Sequence, residues 1–90
     1  MSNIDRIAKL NKKKDEIMAN IDSYCMEYNK NLTEYNRLSN SEVMSREFKN
    51  LHDYEKTMLK YKKRLIKLEN TINKYQNSLR IIKAQIIMLS

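Results

Sequence analysis

The sequence predicts an all-α protein: an antiparallel two-helix coiled-coil hairpin that oligomerises through its second helix. Three observations lead there. The 90 residues hold no Gly, no Pro and no Trp, although chains with many turns use Gly and Pro to make them. From Met44 onward, apolar residues recur in two series seven apart: Met44, Leu51, Met58, Leu65, Ile72, Leu79, Ile86 and Tyr54, Tyr61, Leu68, Tyr75, Ile82, Leu89. These are the a and d positions of a heptad repeat, and Glu47 is the only polar member of the second series. Finally, a second heptad out of phase with this one fills the first half of the chain, so the two meet at a break.

Helix one is expected over residues 3–38. Its a positions are Ile7, Lys14, Ile21, Tyr28 and Tyr35, and its d positions Leu10, Ile17, Tyr24, Asn31 and Leu38. Ile4, Met18, Cys25 and Leu32 occupy e positions and widen the stripe toward the breadth of a bundle core. All six tyrosines of the chain fall on a or d, an arrangement with odds of about one in two thousand if they were scattered over the heptad. They read as core, not as a stacking platform for bases.

The turn is expected over residues 39–43, where Ser39 and Glu42 have the spacing of a capping box and Leu38 and Val43 that of a hydrophobic staple. Helix two is expected over about 41–89, giving one domain over 1–90. A tight turn here sets a register: Leu38 with Met44, Tyr35 with Glu47, Tyr28 with Tyr54, Tyr24 with Met58, Ile21 with Tyr61, Ile17 with Leu65, Leu10 with Ile72 and Ile7 with Tyr75. Asn31 faces Leu51, and Lys14 faces Leu68 and reaches toward Glu69. The hairpin core is then Ile7, Leu10, Ile17, Ile21, Tyr24, Tyr28, Tyr35, Leu38, Leu51, Tyr54, Met58, Tyr61, Leu65, Leu68, Ile72 and Tyr75.

In that register about ten residues of helix two project past the end of helix one, roughly 15 Å at 1.5 Å per residue. The apolar content thickens there, in Leu79, Ile81, Ile82, Ile86, Ile87, Met88 and Leu89. Exposed apolar runs are sites for association. Leu79, Ile81, Ile82, Ile86, Ile87 and Leu89 are thus candidate partner-binding residues, with Leu59 and Ile66 on the outer face. The partner is another helical chain, a copy of this one or a different protein.

Composition removes other functions. Gly-rich phosphate loops cannot form without Gly. Cys25 and His52 are each single, so neither a Cys-rich nor a His-based metal site is expected, nor an internal disulfide. No catalytic, cofactor-binding or metal-ligating residues are assigned, no cofactor or small-molecule ligand is expected, and the chain reads as a non-enzyme. No stretch reaches the roughly 20 apolar residues of a membrane span, and the start has no apolar run of signal-peptide length, as in a mature form. The net charge of +7 gathers at Lys12–Lys14 and along Lys60–Lys67, runs that the tight turn would bring together as one basic band. Such a band leaves a nucleic-acid or membrane-surface binder as one alternative function, without a nucleic-acid motif to support it. A self-assembling scaffold is the other.

The stretches "SNIDRIAKLNKKKDEI" and "EYNKNLTEYNRL", the short Ser/Asn/Glu turn, and an Asn/Lys/Ile-rich composition over the full length resemble the phyllogens, small effectors secreted by phytoplasmas. The resemblance implies binding to the keratin-like coiled-coil domain of floral MADS-box transcription factors. It also implies their delivery to the proteasome through a host ubiquitin-shuttle protein, leaf-like flowers as the outcome, and action in the cytoplasm and nucleus of the host plant cell.

Overall fold

The computed structural model describes residues 2–90. It is a helical hairpin, 65 × 15 × 14 Å, with α1 over Asn3–Leu38, α2 over Ser41–Glu47 and α3 over Leu51–Leu89. The helix α1 starts where the Ser2 hydroxyl accepts the Asp5 amide, with the Asp5 carboxylate in the first turn, an arrangement that satisfies orphan amides and opposes the helix dipole. It packs against α3 along its length.

The expected capping box is displaced by one residue. Ser39 closes α1, its amide donating to Tyr35 and Asn36, and Asn40 caps α2 by accepting from the Glu42 and Val43 amides at 2.9 and 3.4 Å. The expected continuous second helix is also corrected: it is interrupted between Glu47 and Leu51. Phe48 is extended (φ −119°, ψ 134°), and Asn50, also extended, caps α3 by accepting the Asp53 amide at 2.8 Å. Phe48 packs edge-on against Tyr54, ring centroids 5.3 Å apart.

The missing glycines explain this longer connection. A tight helix ending usually uses a left-handed residue just past the last turn, a place that favours Gly. No described residue has positive φ. The chain therefore reverses through extended residues Asn40, Phe48 and Asn50 with α2 between them, and Ser39–Asn50 all serve as connection.

The register follows from that length. Tyr24 stacks on Tyr75 instead of meeting Met58. Tyr35 shares a depression with Tyr54 and Met58 instead of facing Glu47, and Leu10 shares one with Leu89 instead of facing Ile72. Relative to the expected pairing, α3 has moved by about two heptads, so that the a and d residues of the two helices still face one another. Leu51, expected in the core, now precedes the level of Leu38 and is 63% exposed. The residue Lys14 is half-buried, far along the hairpin from Glu69.

The seam is otherwise made of the a and d residues. Ile17, Leu38, Leu65, Leu68 and Ile82 are buried. Ile7, Leu10, Ile21, Met58, Ile72 and all six tyrosines are half-buried. Asn31, polar at a d position, donates its amide to the Glu27 carbonyl at 2.8 Å, which settles one of its donors within its own helix.

Candidate partner-binding surface

The register decides which of the candidate residues are free. The expected overhang does not exist, because the end of α3 lies beside the start of α1: Arg6, Lys9 and Leu10 border the same depression as Gln85, Met88 and Leu89. Ile82 is only 5% exposed, and Leu79, Ile86 and Leu89 are half-buried. These four continue the seam instead of projecting from it. Leu59, Ile66, Ile81 and Ile87 are exposed, Ile87 at 75%. Three strongly exposed residues were not among the candidates: Met88 at 84%, Ile4 at 79% and Met26 at 73%. Met88 sits in the same apolar run; Ile4 belongs to the widened stripe of helix one, and only the register reveals it as open.

Heptad positions sort the surface into two edges. In an antiparallel pair, the g flanks of the two helices share one edge and the e flanks the other. Glu27 and Arg64, both at g, form an ion pair across the hairpin. The g and c positions carry nine basic residues (Arg6, Lys9, Lys13, Lys30, Arg37, Lys60, Arg64, Lys67, Lys74) against four acidic ones (Glu16, Glu27, Glu34, Asp53), a net +5. The e and b positions carry Lys62, Arg80 and Lys83 against Asp15, Asp22, Glu55 and Glu69, a net −1. The e/b edge also holds Ile4, Met18, Leu59, Ile66 and Ile87, all exposed, with Cys25 and Leu32 half-buried beside them. One edge is thus basic and the other apolar and nearly neutral. The expected basic band is redistributed: Lys12–Lys14 lie level with the last third of α3, remote from Lys60–Lys67, and the excess charge runs along the g/c edge.

A separate polar cluster holds the connection. Arg37 donates to Glu34 and, at 2.8 and 3.0 Å, to both carboxylate oxygens of Glu47. The Arg37 hydrogen bonds hold both carboxyls below their usual range, and Arg37 itself is raised by the same bonds. All three side chains are open to water, so the cluster orients α2 more than it stabilises the chain.

The surface offers little for other chemistry. Cys25 is a free, half-buried thiol, and His52 is exposed. Among the described residues, no three His, Cys, Asp or Glu side chains gather as a metal site. Among the same residues, no helix is long and apolar enough to cross a membrane.

The fold and this surface define an α-helical hairpin with one apolar edge. Compared with known protein families, characterised proteins and solved structures, the chain matches none.

Proposed function

We propose that this hairpin is a helix-binding interaction module of the phyllogen kind. It docks the keratin-like coiled-coil domain of floral MADS-box transcription factors and routes them, through a ubiquitin-shuttle protein, to the proteasome, so that flowers become leaf-like. In this reading it is a bacterial effector acting in the host cytoplasm and nucleus. The observation that supports the docking step is the outer face of α3, where Leu59, Ile66 and Ile87 are exposed in one heptad position, with Asn73 and Arg80 between Ile66 and Ile87 in the same series. A helix accepts another helix wherever apolar side chains repeat at that interval. The partner's identity rests on the sequence resemblance.

Pull-down of the floral coiled-coil domain by the wild-type chain and by an Ile66→Glu, Ile87→Glu variant tests it. A charge in a helix–helix seam loses hydration without gaining a partner, so the variant should bind at least about tenfold more weakly. No binding by the wild type, or equal binding by the variant, removes the reading. The basic edge favours a second one, attachment to a polyanion. Its mark is steep weakening with salt, whereas apolar helix docking changes little.

A further inference from the structure

We propose that two copies of this chain pair through their e/b edges into a four-helix bundle, with α1 of each copy lying against α3 of the other. Two independent observations select that edge and that occupant. The first is packing. The seam buries only five side chains, and none of the described side chains is fully enclosed. A four-helix bundle supplies the second layer that such a thin core lacks, and Ile4, Met18, Leu59, Ile66 and Ile87 all stand on the edge that would receive it. The second is charge. Each copy carries +7, so two copies repel unless they meet where the excess is absent. The g/c edge concentrates positive charge; the e/b edge does not.

The register makes the edge self-complementary. A two-fold axis along the hairpin places α1 opposite α3 of the second copy at the same height. In the two-heptad register Ile4 then lies about a turn and a half from Ile87, Leu32 about as far from Leu59, and Asp15 level with Arg80. Apolar side chains meet apolar ones, and a carboxylate meets a guanidinium. Neither Asp15 nor Arg80 has an ion-pair partner in its own chain among the described residues. Every neighbouring pair of helices is antiparallel, with opposed helix dipoles, and both connections lie at one end.

The pairing does not rest on the host-helix reading. A chain that dimerises but ignores the floral domain keeps this proposal and loses that one; a monomer that binds the domain does the reverse. Light scattering after size exclusion, over a concentration series of the full chain, measures the mass against the 10.9 kDa of one copy. A dimer is expected, tightening as salt screens the overall repulsion. Asp15→Arg alone and Arg80→Asp alone should each raise the dimer Kd about tenfold. Combining the two should bring it back to within about threefold of wild type. Both residues are exposed, and circular dichroism checks that each variant keeps its helices. A monomer at every concentration up to about 100 μM, single variants that dimerise like wild type, or a double variant as weak as the singles would each overturn the proposal.

Discussion

Tyr24 stacks on Tyr75 with ring centroids 5.6 Å apart and planes inclined by 24°. Both sit at d positions, one near the middle of α1 and the other in the second half of α3, so their contact ties two helices at one height. Ring pairs of this kind add to the area they bury. Replacing either tyrosine with Ala should cost about 2 kcal/mol of unfolding free energy, less than a fully enclosed ring would. The double variant should cost about 1 kcal/mol less than the two singles added together. Urea unfolding followed by helix ellipticity measures all three, and additive losses would show that the rings do not interact.

The register has a direct geometric test. With Cys25 replaced by Ser, spin labels at positions 10 and 89 should lie close together. Labels at positions 10 and 72 should be separated by about 21 Å along the axis, the rise of the two heptads by which α3 has slipped. Pulsed dipolar spectroscopy separates the two cases. A short distance between 10 and 72 would restore the tight-turn register.

Among the described residues, Asn50 is the only side chain that caps the start of α3, through its bond to the Asp53 amide. Asn50→Ala should therefore lower stability by about 1 kcal/mol. Asn50→Ser, which keeps an acceptor, should recover most of it. Thermal melting of the two variants checks the pair of outcomes, and equal melting of both would mean that the packing of Phe48 alone starts the helix.

The Arg37 cluster predicts a pH effect. Glu34 and Glu47 are held below their ordinary value of 4.5 in the folded chain. A carboxyl with a depressed folded pKa stabilises the fold above its ordinary value and loses that contribution as pH falls through the folded one. The gap in melting temperature between wild type and Arg37→Gln should thus be widest near neutrality and close in acid. High salt should shrink it, because all three side chains face water. A gap that stays constant from neutral pH into acid would show that Arg37 acts through packing alone.

The helices were legible because heptads report which side of a residue is covered, whatever covers it. The seam from Tyr54 to Leu89 and that from Ile7 to Leu38 both follow the spacing in the sequence. Their relative height was not legible, since sliding by whole heptads leaves every a opposite some d. The connection decides it, and its length depends on what a chain without Gly must do to reverse. Two signals could have exposed the break: Glu47 is the one polar residue in its d series, and Asn50 stands three residues before Asp53 as a capping pair. The partner surface shifted with the register. Ile82, Ile86 and Leu89 moved from the expected exterior into the seam, while Ile81, Ile87 and Leu59 and Ile66 stayed outside.

The connection at one end and the free termini at the other give the hairpin a direction in time. Contacts beside the connection join residues close in sequence, such as Arg37 and Glu47, ten apart. Midway, Glu27 and Arg64 are thirty-seven apart, and at the far end Leu10 must find Leu89. Closing a longer loop costs more entropy, although slowly with length, so α1 and α3 should zip from Leu38 toward Ile4. Opening runs backwards, beginning where Ile4, Ile87 and Met88 are already exposed. Amide exchange should accordingly be fastest in the first turns of α1 and the last turns of α3, and slow toward Leu65 and Leu68. The end of the molecule richest in uncovered apolar side chains is thus also the one that separates most readily, and a second helix arriving there meets strands of the zipper already apart.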